Sequence, residues 1–243
     1  MITKIVLDTN IWIYLTKDTF NELLMELKEK AVNEEIKIVV NDVIIKEWHR
    51  NKNQTLKALV ESIKSEYKSA IKLASHMDEP SKTEFLLSLT DYKDEEKRIE
   101  KAEKKVQEVE DFMTTCKIIK VTAEQKLFVS NLAIDKKPPF ENNKNNFNDA
   151  LIIRNICQDA NSTFPSRYDL IYVSNNPEDF IDKKTNEVYS SLMDGMNPIR
   201  LKTVTELGLA LKLAPELIED FDDWLESELQ WQAELESDIR RGK

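Results

Sequence analysis

Two short apolar runs, "KIVL" (Lys4 to Leu7) and "IKIVV" (Ile36 to Val40), flank a segment with helical spacing, and nothing else in the chain constrains its fold as much. Each run reads as a buried strand. Between them "TFNELLMELKEKAVNEE" repeats Leu23, Leu24 and Leu27 at helical intervals. Strand, helix and strand within about 40 residues make a βαβ unit, whose crossover connection makes the two strands parallel. The first strand ends oddly. "KIVLDTNIWIYL" sets one acid, Asp8, and one amide, Asn10, inside an otherwise apolar run. A carboxylate at such a joint is costly unless a partner or a metal meets it.

Composition supports an α/β class. With only 3 Gly and 7 Pro in 243 residues, the chain lacks the turn material of an all-β fold, and 41% apolar residues suffice for a sizeable core. The charged fraction of 33% predicts long solvated helices. No apolar run approaches the roughly 20 residues of a membrane span, and no leader with a small-residue cleavage site is expected. The expectation is a cytoplasmic protein with no membrane partner. Cys116 and Cys157 fit no metal or redox spacing and are expected to be reduced, buried thiols. A formal charge of −10 is unlike a nucleic-acid binder's, yet a basic rim around one cleft would be enough.

Asn41, in "NDVIIKEWHR", is placed to cap a helix carrying Val43, Ile44 and Trp48. From residue 53 to about 114 the pattern becomes wholly helical, broken at "DEPS" and charge-laced in "DEEKRIEKAEKKVQEVED". It is read as a helical insertion, a lid or spacer, within a domain spanning 1–207. The core resumes in "CKIIKVT", and a Pro-Pro break leads to the polar loop "ENNKNN". A helix then opens on Asn148 and Asp149, a strand runs from Leu170 to Val173, and a last strand is expected near Ile199 to Leu201. Residues 208–243 are expected to form an acidic C-terminal helical extension. Its apolar Leu217, Ile218, Phe221, Trp224, Leu225, Leu229 and Trp231 would dock on the same domain, or meet a second copy, an antitoxin or a companion defence protein.

Four acids fall at comparable places. Asp8 ends the first strand, Glu47 lies on the helix after the second, Asp149 begins a later helix, and Asp179 follows the "YDLIYV" strand. Ligands of open parallel sheets collect beyond the carboxyl ends of the strands, so these residues should converge. Convergent carboxylates raise one another's pKa. A hard divalent cation such as Mg²⁺, which takes carboxylate oxygens together with waters and a substrate phosphate, resolves that conflict. Asp8 is therefore expected to face a metal. Arg50, Lys52, Lys136, Lys137, Lys144 and Arg154 lie near the expected rim and would neutralise phosphates. Asn142, Asn143, Asn145 and Asn146 would hydrogen-bond a single strand, or form an ordinary polar loop.

Taken together, "IVLDTNIWI", "NDVIIKEW", "FNDALI" and "YVSNNPEDF" resemble the four motif blocks of PIN-domain nucleases, in their usual order. "PPF" followed by "NDALI" resembles a bacterial branch with a long helical insertion. The resemblance implies a three-layer fold on a central parallel sheet. It also implies Mg²⁺- or Mn²⁺-dependent endonucleolytic hydrolysis of RNA, often single-stranded, often by a toxin or defence effector. It carries Asp8, Glu47 and Asp149 over as metal-site acids, with Asn10 and Ser174 as supporting polar groups. The chain departs from the pattern at Asn176 in "SNN", where many members have an acid. Asp179 would substitute there as a catalytic acid, or only cap and orient the segment.

Two other readings stand beside this one: a catalytically degenerate scaffold that binds RNA or protein, and a phosphatase or phosphoacceptor domain. Asn10 at the plus-two position argues against a phosphotransferase of the haloacid type. Duller roles also exist residue by residue. Asp8 could bond nearby backbone amides, Glu47 could pair with Arg50, and Asp149 could be a first-turn acid favoured by the helix dipole. His49 and His76 are read as surface residues, and Trp12 and Trp48 as core.

Overall fold

The computed structural model describes residues 2–141, 146–162, 170–185, 187–196 and 201–214. Strand β1 (Thr3–Leu7) is buried along its whole length, as a strand covered on both faces must be. Asp8 then caps helix α1 (Thr9–Tyr14), and a 3-10 turn leads into α2 (Asn21–Val32), which buries Leu24 and Leu27. Strand β2 (Ile36–Asn41) returns parallel to β1, in register from Thr3 opposite Ile36 to Ile5 opposite Ile38. The expected βαβ unit is present.

Helix α3 (Asp42–Ala74) runs 33 residues, with the Asn41 side chain accepting from the Val43 amide at its start. Its stripe of Val43, Ile44, Trp48, Thr55, Leu59 and Ile63 is buried, largely against α6 (Glu95–Thr115), which contributes Ala102, Val106, Val109 and Met113. The short α4 (Ser81–Ser88) and α5 (Thr90–Lys93) join the two. Position 53, where the sequence changes character, falls inside the unbroken α3. The site-bearing helix and the first helix of the arm are thus one rod. The break at "DEPS" follows α3 and runs into the first residue of α4, Ser81.

Strand β3 (Lys117–Ile119) pairs with β2, and α7 (Ala123–Ile134) and α8 (Phe147–Asn161) follow. Strand β4 (Leu170–Val173) crosses to the other side of β1. A small antiparallel pair, β5 (Ile181–Asp182) and β6 (Glu187–Val188), and the short α9 (Ser190–Met193) precede β7 (Leu201–Val204). Of the strand expected near Ile199 to Leu201, residues 199 and 200 lie outside the described residues; the described strand runs on from Leu201 in register with β4, Leu170 opposite Leu201 through Val173 opposite Val204. A helix over 207–214 closes the described chain, and its Ala214 carbonyl accepts from the Thr3 hydroxyl at 3.0 Å.

The five-stranded parallel sheet has the order β3-β2-β1-β4-β7 and helices packed around it, an α/β fold. The order in which strands are added reverses between β1 and β4, which run parallel, and such a switch point opens a crevice at the carboxyl ends of the two strands. Trp12 and Trp48 are fully buried, Cys157 is buried and Cys116 half-buried. Among the described residues no helix is long and apolar enough to cross a membrane. The apolar residues expected to dock the C-terminal extension, from Leu217 to Trp231, lie outside the described residues.

Candidate active site

Asp8 stands at that crevice, 7% exposed. One carboxylate oxygen accepts from the Thr9 amide at 2.6 Å, which makes it the N-cap of α1, and the other accepts from the Ser174 hydroxyl at 3.0 Å. Ser174 follows β4, so its bond spans the two strands where the topology reverses. The Ser174 oxygen in turn accepts from the Asn176 amide at 3.2 Å. Asn10 and the Asn176 side chain are exposed.

Glu47 lies on the second turn of α3 and points back to α1. Its two oxygens accept from the Thr9 hydroxyl at 2.7 Å and the Asn148 amide at 2.6 Å, and Arg50 approaches within 3.7 Å. Thr9 and Asn148 are functional neighbours that reasoning from sequence missed. The signal available was adjacency, since each sits beside a singled-out acid in "LDTN" and "FNDA".

Asp149, in the first turn of α8, has its carboxyl pushed up to about 7. Burial is the main cause, followed by the charges of Asp8, Asp179 and Glu47. Asp8 is likewise raised, by burial first; hydrogen bonds from Ser174 and Thr9 oppose the rise, and Glu47 and Asp179 add to it. These mutual effects place all four acids around one region. Tyr172, fully buried beneath it, is raised well above the usual phenol range by burial and by Asp8, Asp149 and Glu47. Asp179 ends the 3-10 turn Pro177–Asp179, whose carbonyl accepts from the Asn146 side chain at 3.1 Å. Asn146 is therefore an internal brace for that turn, 6% exposed, rather than a surface contact for a strand.

Among the described residues no three acidic, histidine or cysteine side chains close tightly enough to grip an ion by themselves. Glu47 and Asp8 each accept a protein hydrogen bond on both oxygens, which orients the carboxylates and leaves each oxygen a further lone pair. The donor set is still one that suits a hard cation. It consists of carboxylate oxygens, and no lysine or arginine pairs with Asp8 or Asp149 among the described residues.

The expected basic rim is thinner than the sequence suggested. Arg50 is exposed beside Glu47. Lys52 instead pairs with Glu110 on α6, which also receives the Trp48 indole N–H at 3.3 Å and sits 3.4 Å from His49. Arg154 donates to the carbonyls of Leu192 and Asp194 and stacks 3.9 Å from the Phe128 ring, so it braces α8 against α7 and α9. Lys137 is exposed and lies 3.4 Å from Asp135. Lys144, with Asn142, Asn143 and Asn145, lies outside the described residues.

A parallel α/β sheet with four acids gathered at its carboxyl edge defines the class: an α/β domain with an acidic site at the topological switch point. The PIN domain family model matches residues 5–180, and the chain belongs to the PIN-domain family. PIN domains are generally nucleases and typically use divalent metals. No curated protein and no solved structure matches the chain significantly.

Proposed function

We propose that the chain is a metal-dependent endoribonuclease that hydrolyses phosphodiester bonds of single-stranded RNA. The observation that carries this reading is the unfavourable charge interaction of Asp8 with Asp149 at the carboxyl edge of the sheet. Both carboxyls are raised from their ordinary value, by burial first, and neither pairs with a basic side chain among the described residues. A bound cation, or a proton on one member, relieves such a conflict. Asp8 and Asp149 would hold Mg²⁺ or Mn²⁺, with Glu47 and Asp179 adding negative charge around it. When bound, the ion supplies a water of lowered pKa and stabilises charge on the phosphoryl group. The chain's own residues orient the parts. Ser174 and the Thr9 amide fix the Asp8 carboxylate, Thr9 and Asn148 fix Glu47, and exposed Arg50 offers a contact to the strand's phosphates. The cytoplasmic setting, and a role as toxin or defence effector, belong to the same reading and rest on the family alone.

One observation favours a second reading, a scaffold that binds RNA without cutting it: the acids do not close around a point unaided. A cleavage assay separates the two. Wild type, Asp8→Ala and Asp149→Ala are incubated with single-stranded RNA or DNA, with Mg²⁺ or Mn²⁺, and with chelator. Metal-dependent cutting of RNA, lost in both variants, supports the nuclease. RNA binding without cutting by wild type establishes the scaffold, and cutting that survives both substitutions removes these residues from the reaction.

A further inference from the structure

Beside the acids lies a buried chain of neutral amides. Asn41, at the end of β2, is fully buried, and Asn155 and Gln125 are each 4% exposed. The Asn41 amide donates to the Asn155 side-chain oxygen, while its own oxygen accepts from Val43 at 2.7 Å and so caps α3. The Asn155 amide donates to the Lys120 carbonyl at 3.1 Å and to Gln125 Oε1 at 3.0 Å. Gln125 also accepts from the Thr122 amide and donates to Gln158 at 2.9 Å. With every partner satisfied, such a network is rigid and specific in a low-dielectric interior.

Its placement is symmetric about the acids. Asn41 precedes Glu47 by six residues, and Asn155 follows Asp149 by six. Each acid thus stands about 9 Å along its own helix from the bridge. The Asn148 to Glu47 hydrogen bond closes the gap at the other end. The charge of Glu47 is among the causes that raise Asp149, an unfavourable interaction between α3 and α8 that bonds joining the two helices oppose. A lysine or arginine at the bridge would hold the helices but would draw off the charge a cation needs. An apolar pair would leave the Val43 amide and the Lys120 carbonyl without partners. An amide pair avoids both faults.

We propose that the Asn41–Asn155 bridge is the positioning element that fixes Glu47 against Asp149, so that the acids meet a cation in a productive arrangement. This rests on the nuclease reading. Asn41→Ser keeps a capping hydroxyl for α3 but is too short to reach Asn155. Asn155→Ala removes the bridge from the other side. Asp159→Ala, at the far end of the same helix, is the control for simple loss of stability. For each folded variant, kcat and KM on RNA are measured, together with Mn²⁺ affinity by calorimetry. The bridge variants should lose about 10- to 100-fold in kcat and about 10-fold in Mn²⁺ affinity, with KM within about 3-fold. The double variant should fall no further than either single one, because the bridge is broken once. The control should match wild type per folded molecule. If the bridge variants match the control, the positioning role is wrong while the nuclease stands. Wild type that neither binds Mn²⁺ nor cuts RNA overturns both.

Discussion

Helix α8 carries a buried or half-buried acid at each end, and the two are treated in opposite ways. Asp149, at the carboxyl edge of the sheet, is pushed up to about 7 by burial and by other acids. Asp159, at the opposite edge, feels burial too, but hydrogen bonds and charge from Lys117 and Lys4 outweigh it and hold its carboxyl below the ordinary value. Those bonds measure 2.7 Å and 3.0 Å, and Lys4 is 2% exposed. The amino edge is thus a place where charge is neutralised by the protein. The carboxyl edge leaves charge for something else to neutralise. One edge holds the sheet together, and the other keeps an electrostatic conflict that folding alone does not remove.

The largest test of that contrast is catalytic. Asp8→Ala and Asp149→Ala should each lower RNA cleavage by roughly 10²-fold or more, the scale of removing a well-placed charge-stabilising group. Equal losses from Asp159→Ala, after correction for folded fraction, would erase the distinction between the edges. The next effect is on stability. Asp159→Ala removes the carboxylate shared by Lys4 and Lys117 and should lose about 2 kcal/mol at pH 7 in chemical denaturation, a buried-pair cost discounted for the acid's partial exposure. A native pKa below the unfolded one means that this stabilisation exists above the unfolded value and is lost as pH falls through the native one. Wild type and variant should therefore converge in strong acid.

Asp149 has the opposite sign. Its native pKa lies above the unfolded value, so the folded protein keeps a proton that the unfolded chain releases between about pH 4 and 7. Stability falls across that window. Asp149→Asn should thus be more stable than wild type above pH 7 in chelator, on the order of 1–2 kcal/mol, with the gain gone below pH 4. Thermal melts at pH 4 and pH 8 would show it; a destabilised variant at pH 8 would mean that Asp149 has an unseen cationic partner. The smallest effect concerns Arg50. Arg50→Ala should weaken RNA binding only a few-fold and reduce the salt slope by about 0.7, one phosphate contact's worth on a single strand.

Much of this arrangement was legible in the sequence. The strands around Asp8 and the strand Leu170 to Val173 are short apolar runs whose pattern admits little else, and the acids that follow strands had to meet at one edge. The less legible parts depend on side chains choosing partners across the fold. Nothing in "HRNKNQ" says that Lys52 turns to Glu110 while Arg50 stays beside Glu47. Arg154 reads as a rim cation until α9 supplies two carbonyls for it. Asn155 sits in the middle of an apolar helix face, where a lone amide looks incidental. Its role depends on Asn41, which is 114 positions away.

The unbroken α3 has a consequence for local opening. Its contacts are front-loaded: the first two-thirds bury residues as far as Ile63, and beyond that point only Ala74 is buried. Amide hydrogens should therefore exchange fastest toward the outer turns and slowest beside Trp48. The arm's tip can fray and reform while the segment holding Glu47 stays shut.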